Sequence, residues 1–221
     1  MSRRELFAAF VVLACATRPA WAQAPVPAAV RLGPGSVLWL EGTSTVHDYE
    51  SRTALPVLSL LRDAGAADPA DVAALDRWLR AGGLRGLDLG VLLATMHSQR
   101  GTTLDKNLLK ALKADQHPEI TFHLIQVRIG DVSRDSIAVS ADGVLSVAGR
   151  QRPITVAGRL VRSEAGVWLD GSHGLRMSEY DVKPPTMMLG TLKVRDSVSV
   201  HFHLLLAPGA AAGIVTTGTR H

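Results

Sequence analysis

Cysteine is nearly absent from this 221-residue chain, and Cys15 is the only one. A disulfide framework within the chain is thereby excluded, and so is a thiolate cage for a metal. Aromatic residues make up only 5% of the composition and the net charge is a modest +4. The basic residues are scattered and form no stripe, so the charge and stacking footprint of a nucleic-acid binder is missing. No apolar run reaches the ~20 residues that a membrane-spanning helix requires. Neither H-E-x-x-H nor G-x-G-x-x-G occurs. The stretch Gly82-Gly83-Leu84-Arg85-Gly86 lacks the G-x-x-x-x-G-K-[ST] spacing and follows a helical pattern where a phosphate loop would open one. No internal repeat is evident. What the chain does have is apolar residues, 47% of the total. A fold without staples must rest on such a core.

The first twenty-two residues read as an export signal. Arg3 and Arg4 precede an apolar run from Leu6 to Ala16, and Ala20-Trp21-Ala22 fits a small-x-small cleavage site. A weaker rival is the lipoprotein-like Val12-Leu13-Ala14-Cys15, which would retain a lipidated Cys15. Cleavage after Ala22 removes three arginines and one glutamate, so the charge of +4 falls to +2. The expected location is the periplasm or the exterior. Residues 23–35, rich in Ala, Pro and Gly, read as a loose lead-in, 36–206 as one domain, and 207–221 as a flexible tail.

Within that domain the organising stretch is Thr102 to Leu124. Leu104, Leu108 and Leu112 recur every four residues, which predicts a short helix capped by Thr102 or Thr103. Pro118 ends anything helical, and the period then drops to two, with Ile120, Phe122 and Leu124 on one face. A second helix is predicted between Ala64 and Gly83, started by Asp68-Pro69, striped by Val72, Leu75 and Leu79, and ended by Gly82-Gly83. Elsewhere short β-patterned runs alternate with turn signals at Gly130-Asp131, Ala141-Asp142-Gly143, Gly149 to Pro153, Glu164 to Gly166 and Asp170 to Ser172. Leu87 to Ser98 reads as a single strand, and Thr43 to Thr53 as extended chain that continues the sheet after a kink at Gly42. The count is about eight antiparallel strands with one or two short helices, an all-β barrel or sandwich.

Four segments resemble the YceI-like family of secreted proteins. They are Glu41 to Tyr49, Met96-His97-Ser98 with Leu104 to Phe122, Asp142 to Ile154, and Tyr180 to Thr186 continuing through Phe202. The resemblance implies a lipocalin-like antiparallel β-barrel that binds polyisoprenoids or similar long amphiphiles, without cofactor and without catalysis. The segment Ala64 to Gly83 departs from the family pattern and is placed to cover one mouth of such a barrel.

Alternation nominates inward side chains at Trp39, Ile120, Phe122, Leu145, Val147, Ile154, Val156, Val198, Val200 and Phe202. Periodicity alone favours a packed interior; the resemblance turns the reading towards a cavity. Met177, Met187 and Met188 flank Pro184-Pro185 as a candidate rim or as simple gap fillers, and His47, with Asp48 and the Thr43 to Thr45 hydroxyls, either satisfies backbone groups or binds a lipid headgroup at the mouth. His201 and His203 share a strand face that His123 could join, the disposition zinc needs, but alternating polar residues equally describe a solvated face. His47-Asp48 lacks a G-x-S-x-G nucleophile. The expected ligand is thus an isoprenoid or other long-chain lipid, with no nucleic acid, no metal and no catalytic residue. Peripheral membrane contact and a homodimer are left open. The rival readings are a structural or interaction barrel of the cell envelope with a packed interior, and a histidine-metal enzyme.

Overall fold

The computed structural model describes residues 30–54, 56–60, 69–84, 87–99, 101–133, 135–187 and 192–209. The export signal, Cys15, Met188, the start of the inserted helix segment including Asp68, and the tail from 210 lie outside the described residues. The order is β1 (Val30–Leu32), β2 (Val37–Ser44), β3 (Asp48–Thr53), β4 (Val57–Leu60), α1 (Val72–Arg80), β5 (Leu87–Leu92), β6 (His97–Ser98), α2 (Thr102–Ala111), β7 (Glu119–Val132), β8 (Ser136–Val147), β9 (Arg150–Arg162), β10 (Val167–Arg176), β11 (Thr186–Met187) and β12 (Leu192–Pro208). Short 3₁₀ turns follow β5 at Leu93–Thr95 and β10 at Met177–Tyr180.

Ten strands follow one another across a single sheet in the order β4-β5-β7-β8-β9-β10-β12-β2-β3-β6, and β1 and β11 also pair with β12. Every pairing is antiparallel. The sheet curls, because inward residues of β2, β5, β7, β8, β9, β10 and β12 all line one hollow. At the seam the Thr53 and Thr95 hydroxyls hydrogen-bond at 2.8 Å, tying β3 to the turn after β5. The fold class is the expected antiparallel barrel, with twelve strands among the described residues instead of about eight. The surplus comes from short pieces. Val30–Leu32, read as loose lead-in, is β1, and Val30 is fully buried. Leu87 to Ser98 divides, since the turn at Leu93–Thr95 carries β6 away to pair with β3.

Three turn predictions fail, two of them for one reason. β8 runs straight through Asp142-Gly143, and β10 through Asp170-Gly171. In each pair the acid faces outward to a cross-strand partner and the glycine faces inward beneath a phenylalanine ring. β7 likewise continues through Gly130-Asp131 to Val132. The true reversal is at Ala148-Gly149, whose φ values of 48° and 80° are the left-handed pair that a tight hairpin requires. Thr43 to Thr53 does continue the sheet, but through a hairpin: the Ser44 hydroxyl accepts from the Val46 and His47 amides and donates to the His47 carbonyl.

Two helices close the barrel ends, and they are seated differently. Asp71, not Asp68, caps α1 by accepting from the Ala74 amide at 2.7 Å. Leu75 and Leu79, 0% and 1% exposed, share a core with Val30, Leu124, Ile137, Leu160 and Leu206. Those partners come from five different strands, and one helix meets so many only by plugging an end. α2 starts at Gly101 (φ 98°) with no side-chain cap, so neither Thr102 nor Thr103 serves, and Lys113 in left-handed backbone (φ 54°) ends it before Pro118 is reached. None of its ten residues is fully buried, although Leu108 faces the barrel; the C-cap residue Leu112, just past its end, is buried there. Among the described residues no helix is long and apolar enough to cross a membrane.

The outer wall is held by cross-strand polar pairs. Asp142 accepts from the Thr155 hydroxyl at 2.6 Å, the Gln126 amide at 2.8 Å and the Arg128 guanidinium at 2.8 Å. The hydrogen bonds from Thr155 and Gln126, with the Arg128 charge, hold its carboxyl below the usual range. A carboxyl depressed in the folded state stabilises it above the unfolded value near ~3.9, and loses that contribution as pH falls through the folded value. Asp142→Asn should therefore flatten the acid limb of the stability curve; urea midpoints measured from about pH 5 down to about pH 2 would test this, and parallel curves for the two proteins would refute it.

Candidate functional site

Between the α1 plug and the α2 lid lies a hollow of about 240 Å³. For comparison, an apolar cavity of ~150 Å³ stays dry and admits benzene. Its wall is the pleat itself: Leu38 and Leu40 from β2, Leu87, Leu89 and Val91 from β5, and Val198, Val200, Phe202 and Leu204 from β12 stand two residues apart on inward faces. Leu108 and Leu112 of α2 and Tyr180 and Val182 near the 3₁₀ turn close the far end.

Glycines set the bore. A Cβ on Gly171 would lie 2.3 Å from the Phe202 ring, and one on Gly143 would lie 2.5 Å from the Phe122 ring. One on Gly42 would lie 2.2 Å from the Tyr49 hydroxyl. Three aromatic rings thus lie back into recesses where a neighbouring strand has no side chain, and the lumen stays open.

Of the nominated residues, Ile120, Phe122, Leu145, Val147, Ile154, Val156, Val198, Val200 and Phe202 all line this hollow. Trp39 does not. It points outward, where its indole N–H donates to Glu41 at 2.9 Å and its ring stacks on His201 with centroids 5.1 Å apart. An indole needs a partner for its N–H, and Glu41, two residues along on the same face, was the signal that this face is wet. His47 also lies off the hollow, in the β2–β3 turn where its backbone is bound to Ser44. Met187 has its backbone in β11, paired with Leu192, and its side chain lies outside the described residues. The wall residues missed from the sequence include Leu38, Leu40, Tyr49 and His173. The first two follow from the same alternation once Trp39 is turned outward, and His173 shares the face of Leu169 and Leu175 once β10 runs through Asp170 to Ser172.

The three histidines considered for zinc stand apart. His123 pairs with Asp88 at 2.7 Å; His201 lies against Trp39, 3.5 Å from Glu41; and His203 stacks on Trp168 at 4.0 Å and pairs with Asp170. Among the described residues no three His, Cys, Asp or Glu side chains are grouped to hold a metal.

The lining carries no Lys, Arg, Asp, Glu, Ser, Thr or Cys among the described residues. Its polar atoms belong to Tyr49, His173 and Tyr180. Burial pushes both phenols above their usual pKa, helped at Tyr180 by the neighbouring Glu179 and opposed by Arg152, so both remain hydrogen-bond donors. Such a wall offers apolar contact and a few O–H and imidazole groups. It presents no paired acid and base and no activated nucleophile.

Among curated proteins, none matches the chain. Two solved structures share its fold. BcnA of Burkholderia cenocepacia superposes with a TM-score of 0.55 at 16% identity, over 78% of this chain and 96% of that one. A polyisoprenoid binding domain from Saccharophagus degradans, implicated in plant cell wall breakdown, superposes with a TM-score of 0.58 at 13% identity, over 82% and 99%. The family model for the YceI-like domain matches residues 66–206, which span α1, the hollow's main wall and the α2 lid. By that match across most of its length, this chain belongs to the YceI family.

Proposed function

We propose that this chain is an exported, non-catalytic binding protein that holds a long isoprenoid or another lipid-like amphiphile in the barrel hollow. The observation that carries the reading is the hollow itself: about 240 Å³, reaching Leu108 and Leu112 at the lid, with no charged side chain among its described lining. Each buried CH₂ of a ligand contributes ~0.8 kcal/mol, so a few isoprene units supply on the order of 10 kcal/mol gross before the cost of ordering the chain. The likeness in fold to a domain described as polyisoprenoid binding supports the same class of ligand. Arg3, Arg4, the apolar run and Ala20-Trp21-Ala22 support export to the periplasm or beyond. The loosely seated α2 is the natural entrance, and α1 the closed end.

Native mass spectrometry of protein purified without detergent should show a retained mass of several hundred daltons. Stripped protein should take up geranylgeraniol at one molecule per chain. A bare chain that ignores geranylgeraniol and every longer isoprenoid alcohol would mean a barrel that serves by its outer surface.

A further inference from the structure

The lining is apolar apart from the side chains of Tyr49, His173 and Tyr180. Tyr49 stands on β3 opposite Gly42, and its hydroxyl lies over that glycine. Gly42 pairs with Val198, and the next inward row runs Leu40, Val200, His173. Tyr49 and His173 therefore belong to neighbouring rows of one wall. Tyr180 adds a third polar group at the α2 end, 1% exposed to solvent. None of the three side chains has a hydrogen-bond partner among the described residues, yet all three border the hollow. The two phenols hold donors in an apolar space, and no lysine or arginine is part of its described lining; Arg152, the cation that acts on Tyr180, lies outside the hollow and is bound to the Glu179 carbonyl.

A charged group brought into that space would lose its hydration with no fixed ion to replace it. An uncharged oxygen would instead accept from a donor that no hydrogen bond among the described residues engages. We infer that, given the binding reading above, the hollow selects an uncharged amphiphile carrying a hydrogen-bond-accepting oxygen, such as a carbonyl, ester or ether, within its buried length, and rejects the carboxylate of the same chain. Tyr49 and Tyr180 donate to that oxygen, and His173 serves as the alternative partner from the next row.

The test uses three probes of one chain length, namely the hydrocarbon, the methyl ester and the free fatty acid, titrated into the full chain at about pH 8, above the ordinary imidazole range. The ester should bind about tenfold more tightly than the hydrocarbon, the worth of one hydrogen bond. The ionised acid should bind at least ~100-fold more weakly than the ester. In the isosteric Tyr49→Phe, Tyr180→Phe double variant, checked for folding by thermal melting, the ester's advantage over the hydrocarbon should disappear. Hydrocarbon binding together with equal uptake of ester and carboxylate would overturn the inference alone. So would an ester advantage that persists in a folded Tyr49→Phe, Tyr180→Phe, His173→Phe variant. If neither hydrocarbon nor ester binds, the binding reading falls and takes the inference with it.

Discussion

Val200→Trp is expected to abolish lipid retention while leaving the barrel folded and no less stable. Val200 stands midway along β12, opposite Leu40 on one side and His173 on the other, with its side chain at the hollow. In a packed core an extra indole would be overpacked and cost ~1–3 kcal/mol. Here about 240 Å³ is empty beside it. The ring gains dispersion contacts and buries its own apolar surface, so the melting temperature of the ligand-free protein should hold or rise. The ligand loses the same space. Displacing about four methylenes from the wall removes ~3 kcal/mol, roughly two orders of magnitude in affinity. Native mass spectrometry and a thermal melt on the same sample read both quantities. A folded variant that still carries its lipid at full stoichiometry would show that the hollow is not where the lipid sits.

The second large effect separates the two helices. Leu75→Ala should cost ~2–5 kcal/mol, because a fully buried leucine leaves a cavity its neighbours cannot close. For a chain of this size that lowers the melting temperature by about 4–20 °C. Leu108→Ala on α2 should cost under ~1.5 kcal/mol, since the side chain already borders empty space and its helix buries no residue fully. Its effect should appear in exchange kinetics instead, with a bound lipid leaving faster through a thinner lid. Equal destabilisation by the two substitutions would contradict the assignment of plug and lid.

Period-two patterning made most of the inward wall legible in advance: Ile120 and Phe122, Leu145 and Val147, Ile154 and Val156, and Val200 and Phe202 all face the hollow. Such alternation is a local consequence of the pleat, so it needs no tertiary knowledge. Three kinds of feature resisted. Asp142-Gly143 and Asp170-Gly171 have the composition of a turn, but the glycine answers a phenylalanine on the next strand, which is a long-range demand. Trp39 was assigned inward with one of the two alternating faces of its strand, whereas the hydrogen bond its indole makes to Glu41 decides its side of the sheet. His173 was hidden by the turn read at Asp170 to Ser172; with β10 running through that stretch, Leu169 and Leu175 share its face. The helix starts were off by a few residues because Asp71 and Gly101 compete with nearby residues that cap equally well on paper.

The outward stacking of Trp39 on His201 and of Trp168 on His203 has a practical side. Neither indole lines the lumen, and nor does Trp78, which folds over Gly83 at the end of α1. Intrinsic emission from these three fluorophores is therefore deaf to cargo: quenching or a spectral shift on adding lipid would report a disturbed exterior, not an occupied interior. A chromophore placed inside, as in Val200→Trp, would hear only the space it has itself taken up.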